Sequence, residues 1–331
     1  MEYTYLGRTG MKVSRLCLGT MNFGPNTEEK EAYRIMDCAL EAGINFFDTA
    51  NMYGGRNGGA RGWTEEIIGR WFALGGGRRE KVVLATKIFE DMNDPNDGPN
   101  GAGGLSAYKV RRHLDGCLKR LQTDHVELLY LHNPEPHATW DELWGSFQQA
   151  VSCGKVDYVG CSNFAGYQIA MAQAAAKERH FLGLVCDQSK YNLIARLPEL
   201  ELMPACRALG LGFLAWGPLQ GGMLSGSLLR QIEGGQRSSK YVGNLPPERV
   251  EQLTKYAALC HDFGMTEAEV SLAWLLSRPG LTAPLVGPRT VAQLEDSLRA
   301  AELRLPEELV QQVEILFPGP IAEAPMAYSK S

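Results

Sequence analysis

"INFFDTANMYGG", residues 44–55, decides the fold because its apolar residues crowd together and then stop at an acid. The run ending at Phe47 is too short for a helix and does not alternate as a half-exposed strand would. It reads as a strand covered on both faces. Asp48 closes that strand, and an acid at the end of a buried strand costs free energy unless its charge is used there. Tyr53, among turn formers beside Gly54 and Gly55, has no packing duty. Together they ask for a site at the strand's C-terminal end.

Seven further runs share this texture: "SRLCLGT" (14–20), "VVLATKI" (82–88), "VELLYLHN" (126–133), "VDYVGCSNF" (156–164), "GLVCDQSKYN" (183–192), "GFLAWGPL" (212–219) and "TAPLVGP" (282–288). Amphipathic segments lie between them. "TEEKEAYRIMDCALEAG" places Ala32, Ile35, Met36, Ala39 and Leu40 at helical spacing, with Gly43 as the stop. "SAYKVRRHLDGCLKRL", "WDELWGSFQQAVSCGK" and "AGYQIAMAQAAAKERH" follow the same plan, and Thr266 with Glu269 predicts a capping box. Helices between strands demand parallel pairing and right-handed crossovers.

Eight such units close into a (β/α)8 barrel, read as one domain over 1–331. "YTYLGRTGMKV" predicts a small hairpin across Arg8-Thr9-Gly10, plugging the barrel's N-terminal mouth. An open doubly wound sheet is the alternative, but it would carry G-x-G-x-x-G after its first strand, and "CLGTMNFG" does not. Two connections at strand C-termini, 89–106 and 220–247, are long enough to cover a substrate.

Composition narrows the function. The 331 residues are 44% hydrophobic and 21% charged, as in an ordinary globular protein, and 38 acids against 33 bases leave a net charge of -5. With no basic block, neither nucleic acid nor a membrane surface is an expected partner. No signal sequence or apolar span is evident, and the eight cysteines contain no C-x-x-C, so free thiols in a cytoplasmic protein are expected. One His and one Asp at the strand ends are too few for a barrel metal centre, so no metal is expected. Asp48 would keep Lys87 protonated, which disfavours a Schiff-base aldolase.

The strand ends gather Thr20, Asp48, Lys87, His132, Ser162, Asn163, Gln188, Trp216 and Gly287 at one mouth. Asp48 and Lys87 end neighbouring strands and can pair. An ammonium beside Tyr53 favours its phenolate and makes the phenol a better acid. His132 can hydrogen-bond a substrate oxygen. Such a set can protonate a carbonyl oxygen while a hydride attacks the carbon. Met21, Phe23, Met52 and Phe89 are candidates to line the mouth. The remaining histidines (113, 125, 137, 180, 261) read as structural.

"GINFFDTANMYGG", "LATK", "LLYLHNPE", "GCSNF", "DQSKYNLIAR", "WGPLQGGMLSG" and "VGPRTVAQLEDS", in that order, resemble the successive motifs of the aldo-keto reductases. The resemblance is closest to the bacterial branch near the potassium-channel β subunits. It implies a catalytic tetrad of Asp48, Tyr53, Lys87 and His132, and an NADPH cofactor. It implies cofactor contacts from Thr20, Met21 and Asp48, with Ser162, Asn163 and Gln188 at the nicotinamide carboxamide. Trp216 would stack on the ring, Leu219 and Gly221 meet the pyrophosphate, and Gly287, Arg289, Gln293 and Asp296 hold the adenosine end. A guanidinium such as Arg289 near a helix N-terminus also suits a 2′-phosphate on physical grounds. Ser297 departs from the asparagine common in relatives. The expected substrate is a small carbonyl compound. An NADPH-sensing regulatory subunit is the alternative, and the resemblance leaves a homo-oligomer open.

Overall fold

The computed structural model describes residues 1–55, 59–226 and 245–320. Most of the connection 220–247, which the sequence marks as candidate substrate cover, lies outside the described residues, as does the tail from 321 onward.

All eight apolar runs form strands: β3 (Cys17–Gly19), β4 (Phe46–Asp48), β5 (Val83–Ile88), β6 (Val126–Leu131), β7 (Val156–Ser162), β8 (Leu184–Lys190), β9 (Gly212–Trp216) and β10 (Leu281–Val286). They pair in parallel and close into a barrel, β10 meeting β3 through Leu285↔Cys17 and Val286↔Leu18. Adjacent residues point to opposite sides, which is why the runs are continuous in hydrophobicity. Phe46, Ala85, Leu128, Tyr130, Leu214 and Ala283 share an inner cluster. Phe47, Leu84, Leu129 and Phe213 belong instead to the larger cluster packed with the surrounding helices.

The helices form where the periodicity predicts them. Glu29–Glu41 buries Ala32, Ile35, Met36 and Ala39, and Gly43 ends it with a positive φ of 85°. The capping box at Thr266 is present, with the Glu269 carboxylate accepting from Thr266 N at 2.9 Å. Helix C-termini return the chain to the barrel's lower rim, so the strand ends and the loops after them share the upper one.

The lower rim is closed by the hairpin of β1 (Tyr3–Tyr5) and β2 (Lys12–Ser14). Leu6 and Val13 are fully buried in the inner cluster. Arg8 N donates to Gly210 O at 2.8 Å, which draws Gly7 against the wall. A Cβ at Gly7 would meet Gly210 O, Gly212 N and Val185 O at 2.7 Å, and its φ is +58°, so only glycine fits. The cysteines are free: Cys153 is exposed, Cys38 half-buried and the other six buried. No described helix is long and apolar enough to cross a membrane.

The 89–106 connection is ordered by long-range bonds. Its middle is a turn of 3-10 helix, Pro95–Gly101. Lys109, on helix Ala107–Leu121, donates to the carbonyls of Phe89 (2.6 Å), Gly101 (3.2 Å) and Ala102. Arg112 and His113 hold Asp97, and Glu135 accepts from Leu105 N.

Candidate active site

β4 and β5 deliver Asp48 and Lys87 side by side at the upper rim, both almost wholly buried. Lys87 Nζ donates to Asp48 Oδ1, and to Thr49 O at 2.8 Å. Gln188 Nε2, from β8 across the mouth, donates to Asp48 Oδ2 at 2.7 Å. With both of its oxygens accepting, Asp48 is a carboxylate and Lys87 an ammonium. Burial pulls the Lys87 pKa down more than any other single influence, but the Asp48 charge, Tyr53 and the hydrogen bonds to both together outweigh it and hold the ammonium above its ordinary value. Breaking such a pair by removing one partner would strand the other charge.

Tyr53 stands over this pair, its hydroxyl 3.4 Å from Lys87 Nζ and its ring 5.1 Å from the ammonium. Its turn is tied to the start of helix Trp63–Ala73, because Tyr53 O accepts from Gly62 N at 3.1 Å and Thr64 N at 3.4 Å. His132, the residue after β6, places its ring 6.0 Å from the Tyr53 ring at 78°. The structure therefore brings Asp48, Tyr53, Lys87 and His132 together from the C-terminal ends of β4, β5 and β6 and the turn after β4.

A second layer of amides adjoins them. Asn163 holds a left-handed φ of 65°, and its Nδ2 donates to His132 O (3.1 Å), Asn133 Oδ1 (3.3 Å) and Ser162 Oγ (3.1 Å). Its Oδ1 accepts from Trp216 Nε1 at 2.9 Å. Ser162 Oγ donates to Gln188 O at 2.7 Å. Thr20 is buried and donates from its hydroxyl to Asp48 O at 2.9 Å. Leu219 caps the turn Gln220–Ser225, where Gly221 is exposed with φ 66°.

The group named for an adenosine end is more dispersed. Gly287 O accepts from Asn22 Nδ2 at 2.7 Å. Gln293 Oε1 accepts from Arg289 N at 2.9 Å, and Gln293 N donates to Oγ1 of Thr290, the residue that caps helix Val291–Glu302. Asp296 is exposed and paired with Arg299. Ser297 bonds its own helix at Gln293 O, 3.0 Å away. Met21, Met52 and Phe89 are half-buried at the rim. Phe23 departs from the expectation of a pocket-lining residue: its side chain is fully buried in the outer cluster, so it packs rather than faces the mouth.

Three neighbours were not singled out in the sequence. Tyr130 lies beneath Lys87, its ring 5.5 Å from the ammonium. Lys190 stands 5.7 Å over the Trp216 ring. Two-residue periodicity from Gln188 would have found Lys190, since both point to one side of β8. Asn51, buried two residues before Tyr53, gave no sequence signal beyond its loop position.

The site residues fit a nicotinamide dinucleotide. Among the described residues, no donor reaches Gln188 Oε1, no anion pairs with the half-buried Arg289, and Gly221 has open space where a Cβ would stand. Among the same residues, no cluster of three or more His, Cys, Asp or Glu side chains could hold a metal ion.

Residues 15–317 match the model of the "Aldo/keto reductase family". A Bacillus subtilis protein described as "Uncharacterized oxidoreductase YrpG" is 56% identical over 99% of this chain and 100% of its own length. A "Probable voltage-gated potassium channel subunit beta" of rice, Oryza sativa subsp. japonica, is 30% identical over 95% of this chain and 96% of its own. An Alternaria alternata protein described as "Aldo-keto reductase AMT2" is 29% identical, covering 94% and 90%.

Proposed function

We propose that this chain, which belongs to the aldo/keto reductase family, reduces an aldehyde or ketone to the alcohol with NADPH, Tyr53 being the general acid. One observation carries the reading: the Tyr53 hydroxyl lies 3.4 Å from an ammonium that a buried carboxylate fixes in place. Bound NADPH supplies a hydride. The chain's own part is to aim the carbonyl and to move one proton.

Tyr53 donates its hydroxyl proton to the carbonyl oxygen as negative charge gathers there, and Lys87 stabilises the phenolate left behind. Asp48 keeps Lys87 charged and stationary, so the field is preorganised rather than assembled at each turnover. His132, edge-on to the Tyr53 ring, bounds the place the carbonyl oxygen takes and orients it. Ser162, Asn163 and Gln188 hold the carboxamide of the cofactor, and Trp216 supports its ring. Leu219 and Gly221 present backbone to the pyrophosphate. Arg289 answers a 2′-phosphate, which is the basis for choosing NADPH over NADH.

The test is loss of reduced-nicotinamide absorbance with an activated aromatic aldehyde, run beside Tyr53→Phe. Turnover should fall at least about a hundredfold in the variant, the scale of a lost general acid, while NADPH affinity stays within a few-fold. A large loss of affinity would sink this division of roles. The relative described as a channel subunit favours one second reading, an NADPH-binding regulatory subunit. Wild-type protein that binds NADPH yet turns over no faster than Tyr53→Phe would select it.

A further inference from the structure

Behind Tyr53 runs a chain of polar side chains with no role in the reaction derived above. Asp97 belongs to the 89–106 connection, His113 to helix Ala107–Leu121, and Asn51 to the turn that carries Tyr53. Asn51 is fully buried, and Asp97 and His113 are each 4% exposed. His113 Nε2 is 3.2 Å from Asp97 Oδ2, and His113 Nδ1 is 3.3 Å from Asn51 Nδ2.

Chemistry fixes the direction of these bonds. Asp97 is ion-paired to Arg112, so it is a carboxylate and can only accept. His113 therefore carries its proton on Nε2. Burial keeps the imidazole below its ordinary pKa, with Lys109 and Arg120 adding to that and Asp97 opposing it. A neutral ring protonated at Nε2 must accept at Nδ1, and Asn51 supplies the N–H. At the far end, Asn51 N donates to Lys87 O at 3.0 Å, and Tyr53 N donates to Ala50 O at 3.1 Å. Asn51 Oδ1 is buried with no partner among the described residues. The amide thus forgoes one hydrogen bond to serve His113, which a residue placed only to fill the core would not need to do.

We propose that Asp97, His113 and Asn51 are positioning residues that tie the Asp97 turn of the 89–106 connection to the turn bearing Tyr53, and that this tie, rather than the order of the rest of the loop, helps to aim the phenol. The proposal rests on the reading of Tyr53 as the acid only for its kinetic consequence. A purely structural cluster would lower stability when cut, without loosening the Tyr53 turn in the folded protein.

Hydrogen exchange of the segment 49–55 tests this directly and needs no catalysis. His113→Leu removes the central link while filling its volume, and Asp97→Ala cuts the link from the loop side, together with the Arg112 pair. Lys109→Met releases the same loop outside the chain. The first two should speed exchange at 49–55 by about tenfold, while Lys109→Met speeds it only within 89–106. Unchanged protection at 49–55 in the folded variants overturns the proposal.

Kinetics give a second reading. Each of the first two variants should lower kcat for a small aldehyde about fivefold with KM for NADPH unchanged, and the double variant should be no slower than the slower single one. Losses that multiply would overturn the single link. Wild-type protein that is inert while the exchange result holds would count against Tyr53 as the acid, and would leave the lock itself supported.

Discussion

Asp187 shares β8 with Gln188 but faces the opposite way, into the layer between barrel and helices. It is fully buried, its Oδ2 accepts from the Cys161 thiol at 3.3 Å, and its Oδ1 has no partner among the described residues. Burial raises its pKa from 3.8 to about 7. The native chain therefore holds this proton between those values while the unfolded chain has shed it. Stability contributed by the protonated form is complete below the unfolded value and is lost as pH rises to about 7, by on the order of 2–4 kcal/mol. Asp187→Asn should flatten that decline and raise the unfolding temperature above neutrality, with little gain at about pH 5. Parallel stability–pH curves for the two proteins would show that another group titrates. The neighbouring Gln188 was legible in the sequence as a strand-end amide; its bond to Asp48 was not, because it spans the barrel mouth. His113 likewise read as structural, since nothing in a single helix shows what its two ring nitrogens will meet.

At the scale of elements, strands and helices were legible because each depends on its own residues: apolar runs of strand length, and amphipathic segments with stops and caps. The 89–106 connection was legible only as a long loop. Its shape comes from Lys109, a residue of the following helix whose ammonium gathers three carbonyls of the loop. No local pattern announces that, and burial accordingly lowers the Lys109 pKa. Lys109→Met leaves those carbonyls without their donor and should cost about 1–3 kcal/mol. We expect KM for a bulky aromatic carbonyl to rise several-fold while kcat for a small aldehyde changes less than about twofold, as removal of uniform binding requires. Equal effects on both substrates would mean the loop does not cover the larger one.

The whole molecule has two unlike ends. The upper rim spends buried charge and unusual backbone on chemistry, and the lower rim is sealed by a hairpin whose Leu6 and Val13 complete the inner cluster. Leu6→Ala should therefore destabilise the protein by about 2–5 kcal/mol, the range for emptying a buried leucine site. It should leave kcat of the folded protein unaltered, because barrel chemistry lies at the other face. Denaturant unfolding alongside turnover would check this, and a loss of kcat at full foldedness would show that the plug also shapes the site. Cys153, the exposed thiol after helix Trp140–Ser152, opens onto that same lower end just before β7 begins. A maleimide surface would seize the protein there first, and every captured molecule would stand with its mouth toward the solution, ready to be fed substrate in a flow cell.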